Sequence, residues 1–402
     1  MEHISVEHVE LIILIGAVVA MIARRLKVPY TVGLVTAGLC LAFVPFKLDL
    51  VFSKELVFNL LLPPLIFEAA LYIDWKELRR DLVVISTYAT IGVLLSAAVT
   101  AVIMRYVVGW AMPEAVLFGV LIAATDPVSV IATFKEAGVT GRLRLLVESE
   151  SLFNDGTAAV AFAVALAYAS GEATSVAGSM WLMASSIFGG IACGLIVGGA
   201  AYFIIGRTRD YLVEIAMTTV AAFGSFWLAE HFHLSGIMAT TTAGLLVGNL
   251  TAFGTFTAKG EQSIASFWDF AAFVVNSIIF IMMGINAAHQ DFSRLAVPIL
   301  VAIAAVLAGR AVAVYPCSAI FSGTRLRVAG AQQHILFWGG LRGALALALV
   351  YSVPASLPYR DELLTVTFGV VAFSVFAQGL TIPALLRRLG QVDADKKAEQ
   401  AS

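Results

Sequence analysis

Charge is scarce in this sequence. Of its 402 residues only 13% are Asp, Glu, Lys or Arg and 60% are hydrophobic, whereas soluble domains carry roughly 25% charged and 45–50% apolar residues. No water-soluble core needs that much apolar surface. Short segments of alternating apolar and polar residues are also missing, which excludes a transmembrane β-barrel. The three cysteines, Cys40, Cys193 and Cys317, fall inside apolar runs, so no disulfide framework is implied and each reads as a small hydrophobe. Net charge is only -2, which gives no reason to expect a nucleic-acid partner. Gly-x-x-x-x-Gly-Lys-Ser/Thr does not occur, so ATP is not expected to supply the energy. Met1 to Glu10 is acidic and lacks the basic start of a cleaved signal peptide, so the first apolar segment is expected to stay in the mature protein.

What is present is a series of apolar runs, most of them long enough to cross about 30 Å of hydrocarbon as helices. Thirteen spans are expected, at about 9–26, 30–46, 56–73, 82–104, 115–135, 142–169, 181–206, 211–229, 236–254, 264–287, 295–321, 332–353 and 362–387. The fold class is therefore an all-α polytopic membrane protein. Residues 1–390 form one transmembrane domain, and 391–402 form a polar cytoplasmic tail. The connections between spans are too short for a folded soluble domain. Alternating the spans puts Arg24, Arg25, Lys27, Lys76, Arg79, Arg80, Lys135, Arg142, Arg144, Arg207, Arg209, Lys259, Arg325, Arg327 and the basic tail on one face. The other face receives only Lys47, Lys54, Arg105, Arg294 and Arg360. Basic loops stay in the cytoplasm, so the N-terminus is expected outside and the C-terminus inside.

Two spans are interrupted. The fifth contains Ala124-Thr-Asp-Pro-Val128, where Pro127 removes a backbone donor, and the twelfth contains Gly339-Gly-Leu-Arg-Gly343. If spans one to six and eight to thirteen are two inverted copies, these breaks occupy matching positions. Such a pair is the best sequence pointer to a transporter's binding site.

Ionisable residues inside spans are costly and normally face a cavity or a partner. Here they are Glu68, Asp126, Glu150, Asp155, Arg310 and Arg342. Ser151 and Asp155 are four apart and lie on one helical face, so one ion can receive a hydroxyl and a carboxylate oxygen. Thr125 and the carbonyls released by the break add further hard oxygen ligands. Burial disfavours the charged carboxylate unless a proton or a cation neutralises it. The two would then compete for Asp155.

Phe67-Glu-Ala-Ala-Leu71, Ala124-Thr-Asp-Pro-Val-Ser-Val130, Glu150-Ser-Leu-Phe-Asn-Asp155, Gly309-Arg310 and Gly339-Gly-Leu-Arg-Gly-Ala344 resemble, in order and spacing, the motifs of the monovalent cation:proton antiporters. The resemblance is to the NhaP-type exchangers and the membrane domain of the NHE exchangers, and it covers spans three to twelve. It implies exchange of sodium, lithium or potassium for protons, no cofactor, and a homodimer in the plasma membrane. It also implies a moving core bundle beside a dimerisation domain. Asp155 corresponds to the obligatory ion- and proton-binding carboxylate, with Na+ bound there. Ser151, Glu68 and Thr125 correspond to co-ligands. Asn154 and Asp126 resemble the pair that steadies the crossing of the broken helices, and Glu150 and Arg310 resemble a structural ion pair. Electrogenic relatives carry Asp where this chain has Asn154, so the resemblance implies an electroneutral, one-for-one exchange. For Arg342 two roles remain open: offsetting carbonyl ends at the second break, or a salt bridge to Asp126.

Two other classes fit less well. A cation channel needs a continuous polar pore, and polar residues are sparse outside the two breaks. An intramembrane aspartyl protease using Asp126 and Asp155 would show Gly-x-Gly-Asp, whereas Asp126 follows Ala-Ala-Thr. The short tail suggests a prokaryotic exchanger without elaborate regulation.

Overall fold

The computed structural model describes residues 6–26, 28–43, 56–126, 130–131, 134, 138–171, 175–250, 256–357 and 359–391, with 6–9 and 250 as backbone only. Pro127, Glu136 and the tail beyond Gln391 lie outside them. All regular structure among the described residues is helical.

The helices are α1 (Val6–Leu26), α2 (Tyr30–Leu41), α3 (Val57–Leu71), α4 (Trp75–Val108), α5 (Met112–Leu121), α6 (Arg142–Ala169), α7 (Val176–Ile205), α8 (Tyr211–His231), α9 (Gly236–Leu250), α10 (Ala258–Ala288), α11 (Ala296–Ile320), α12 (Gly330–Trp338), α13 (Ala344–Tyr351) and α14 (Arg360–Arg388). Seven of them, α4, α6, α7, α8, α10, α11 and α14, are individually long and apolar enough to cross a membrane. α1 runs for 21 residues as well, and the remaining six helices are shorter. Sequence hydropathy starts the fourth span at residue 82, yet α4 begins at Trp75. The Asp74 carboxylate accepts the N–H groups of Lys76 at 2.6 Å and Glu77 at 3.3 Å. A cap of this kind starts a helix in polar sequence that hydropathy passes over.

The helices sort into two bodies by their packing. The first is a panel of α1, α2, α3 and α7 to α10, and the second is a bundle of α4, α5, α6 and α11 to α14. Lipid offers helices no hydrophobic reason to associate, so close approach over small residues takes its place. In the panel α2 and α10 cross at Gly38 and Gly284, and a Cβ on either would run into the other helix's backbone. In the bundle the Tyr88 hydroxyl of α4 meets the Ser318 hydroxyl of α11 at 2.6 Å. The bodies touch chiefly where α6 runs along α3, α7 and α9. That seam leads to the broken helices.

Candidate ion site

Both expected breaks are present, and they meet. Beyond α5 the chain is non-helical through Ala124, Thr125 and Asp126, and between α12 and α13 it is non-helical from Gly340 to Gly343. A backbone bond from Asp126 N–H to the Leu341 carbonyl, at 2.8 Å, ties one break to the other. Arg342, only 1% exposed, donates through Nη1 to the carbonyls of Ala123 at 2.6 Å and Ala124 at 2.9 Å. These are carbonyls at the end of α5, which have no helical partner and carry the negative end of that helix's dipole. Arg342 therefore meets carbonyl ends at the first break, whereas one of the two roles left open for it placed those carbonyls at the second.

Gly343 explains why the crossing is so close. A Cβ there would collide with the side chain of Asp126. Gly343→Ala must push the two breaks apart. We expect at least a fivefold loss of sodium-driven exchange in proteoliposomes, since small misplacements at an assembled site are costly.

α6 lies against this crossing and supplies most of the polar groups. Asn154 is fully buried. Its Oδ1 accepts Thr125 N–H at 3.2 Å, and its Nδ2 donates to Thr125 Oγ1 at 2.6 Å and to Glu150 Oε1 at 3.0 Å. Behind it Glu150 receives Arg310 through Nη1 at 2.7 Å and Nη2 at 3.0 Å. Arg310 from α11 also donates to the Leu336 carbonyl in the last turn of α12. Asn154 thus steadies the first break, and the Glu150–Arg310 pair fastens α6 to α11 and α12.

A cavity of about 220 Å³ opens where the panel faces the crossing. Its titratable lining groups are Tyr30, Glu68, Asp126, Asp155 and Asp269. Thr125 lines it as well. Asp155 is 9% exposed, and its Oδ1 has no hydrogen-bond partner among the described residues. Leaving a buried polar oxygen unpaired costs about 1–3 kcal/mol, more for a charged group. An occupant of the cavity that accepts electron density would remove that cost. Three of the four expected ligands, Glu68, Thr125 and Asp155, therefore share one space with Asp126, which was expected to support the crossing. Ser151 is not among its lining residues, and the Ser151 hydroxyl is hydrogen-bonded to Thr125 Oγ1 at 2.9 Å.

Sequence reasoning missed three lining residues, Tyr30, Asp269 and Asn276. The Tyr30 hydroxyl bonds Ser277 Oγ, and Asp269 accepts the Tyr72 hydroxyl at 3.3 Å. A polar residue in the middle of the tenth span was the signal available for Asn276. Asp269 also borders a second cavity of about 540 Å³, together with Asp74, Glu77 and Glu148. These carboxylates give that cavity an acidic mouth, although Arg144 lines it too and is paired with Glu148 at 2.6 Å. His334, near the start of the twelfth span, is exposed and hydrogen-bonded to the Tyr315 hydroxyl at 2.9 Å.

Residues 11–388 match the family described as the sodium/hydrogen exchanger, transmembrane. The Na+/H+ antiporter ApNhaP of Aphanothece halophytica is 37% identical over 368 residues, covering 91% of this chain and 70% of that protein. The low-affinity Na+/H+ antiporter NhaS1 of Synechocystis is 36% identical over 384 residues, covering 93% and 72%. Among solved structures, the sodium proton antiporter MjNhaP1 from Methanocaldococcus jannaschii at pH 8 superposes with a TM-score of 0.73 at 22% identity, over 96% of both chains. A second structure of MjNhaP1 gives 0.77 at 21% identity. The fold is shared with both.

Proposed function

Because the chain belongs to the sodium/hydrogen exchanger family, and is therefore a transporter rather than an enzyme, we propose that it exchanges one Na+ for one H+ by letting both compete for Asp155. No cofactor is involved, since the transported ions are the substrates. The observation that carries this reading is the Asp155 carboxylate, buried with Oδ1 unpaired in a cavity beside two broken helices. A cation there replaces its lost water with the Asp155 carboxylate and Thr125. Glu68 lies across the cavity on the panel. Ser151 acts one step back by orienting the Thr125 hydroxyl. Asp126, Asn154, Glu150, Arg310 and Arg342 hold the crossing.

Thirteen spans follow if α5 with the chain beyond its break, and α12 with α13, each count as one crossing. The bundle then takes spans four to six and eleven to thirteen, corresponding positions of two inverted halves. Alternating access by movement of this bundle against a dimerising panel would carry Asp155 from one face to the other. With the N-terminus outside and the C-terminus in the cytoplasm of a prokaryotic cell, the acidic mouth at Asp74, Glu77 and Glu148 faces inward. The cavity is then reached from the cytoplasm.

One exchanging carboxylate gives a neutral cycle, because Asp155 is neutralised by either ion. In proteoliposomes holding a pH gradient, added sodium should collapse the gradient at a rate indifferent to an imposed potassium diffusion potential. Acceleration by voltage would overturn the one-for-one stoichiometry. Asn154→Asp tests the surroundings of the same site. It removes the donor that Glu150 Oε1 now accepts at 3.0 Å and sets a second carboxylate against it. The expected outcome is a melting temperature lowered by several degrees, with slower exchange, because like charges in that spacing cannot both ionise. Unaltered stability together with voltage-driven exchange would instead assign Asn154 alone control of the stoichiometry.

A further inference from the structure

Asn276 is the one asparagine of α10 that does not satisfy itself. Further along the same helix, Asn286 donates to the Met282 carbonyl at 2.8 Å and accepts the Tyr351 hydroxyl at 3.1 Å. Asn249 on α9 donates to Leu245 O at 2.8 Å and accepts Trp75 N–H at 2.6 Å. Even its neighbour Ser277 is bonded, to Phe273 O at 2.7 Å and to Tyr30. Asn276 is only 9% exposed, yet its Oδ1 has no hydrogen-bond partner among the described residues. It lines the 220 Å³ cavity.

Two buried, unpaired side-chain oxygens therefore line this cavity, Asp155 Oδ1 and Asn276 Oδ1. They come from different bodies, Asp155 from the bundle and Asn276 from the panel. We propose that Asn276 Oδ1 is a further ligand of the transported cation, supplied by the panel, and a determinant of how strongly sodium competes with the proton. This deepens the reading of Asp155 as the shared site and rests on it.

The chemistry gives the two ligands different jobs. A carboxylate serves either ion. An amide oxygen is a hard, neutral ligand of the kind alkali cations accept, and it does not take up a proton in the physiological range. It therefore favours sodium without favouring the proton. It is also left behind whenever the bundle moves relative to the panel. Sodium then meets its full ligand set only when bundle and panel bring Asp155 and Asn276 to one cavity, whereas proton affinity is free of that constraint.

The test is a kinetic split in proteoliposomes of purified protein, with Asn276→Leu, which keeps the bulk and removes the oxygen, and Asn276→Asp, which keeps an oxygen at the same reach. The Leu variant should raise KM for sodium roughly tenfold, as expected for loss of one buried polar contact. The effect should fall on KM, with the proton inhibition constant unmoved, and Asn276→Asp should bring KM back toward the native value. If Asn276→Leu does not give a monodisperse protein, Asn276→Ala reads the same quantities. A sodium KM within twofold of native overturns the inference. So does a parallel change in KM and the proton constant, which marks a general distortion of the site. Asp155→Asn separates the two levels: exchange surviving in that variant removes the parent reading, while its loss beside a native Asn276→Leu removes only this one.

Discussion

Asp155→Asn should reduce sodium-driven proton movement to background, a loss of at least about a hundredfold, without unfolding the protein. The amide is nearly the same size but has neither the charge that attracts sodium nor the proton to exchange. Stability should hold or rise, because Asp155 Oδ1 has no hydrogen bond to lose and a buried charge is removed. A residue serving the scaffold would behave in the opposite way. Melting curves in detergent add a second readout. A ligand that binds the native state stabilises it by mass action, so sodium should raise the melting temperature of the native protein. The rise should shrink as pH falls, because protons then occupy the carboxylate. In Asp155→Asn the sodium-dependent rise should vanish. Its persistence would place the cation elsewhere.

Much of the fold was legible because lipid imposes a simple rule: backbone groups must pair within a helix or be shielded inside protein. Long apolar runs such as those of α7 and α11 declared themselves on that basis. The start of α4 did not, because Asp74 extends it into polar sequence by capping. In the site, the break and the four-residue spacing pointed to Thr125 and Asp155, and the family resemblance added Glu68; all three line one cavity with Asp126. Spacing could put Ser151 on the same helical face as Asp155, but it could not show that Thr125 takes its hydroxyl. That contact belongs to another helix. Arg342 was legible as a cation near carbonyl ends, though which break supplied them depended on how the two breaks cross. Asn276 is the clearest case. In sequence it is indistinguishable from Asn286, and only tertiary packing leaves one paired and the other bare.

The largest stability effect is expected at Arg310. This side chain answers three buried acceptors at once, both Glu150 oxygens and the Leu336 carbonyl, and is itself 7% exposed. Arg310→Leu would leave Glu150 as an uncompensated charge and Leu336 O without its donor. Breaking a buried ion pair from one side typically costs about 3–5 kcal/mol. The protein should lose monodispersity in detergent, or melt many degrees lower. Arg310→Lys should fall between, since an ammonium lacks the planar fork that reaches Glu150 and Leu336 together. Glu150→Gln combined with Arg310→Leu should recover part of the loss, because no charge is then stranded. That recovery separates support from transport. If the double variant regains stability and also exchanges sodium, the pair serves only to fasten α6 to α11 and α12. If it regains stability but stays inactive, Glu150 takes part in the ion's path. The bonds of Glu150 to Arg310 and Asn154 favour the first outcome. Glu150 stands behind Asn154, absent from the cavity lining, and reaches the ion only by holding in place the asparagine that holds Thr125.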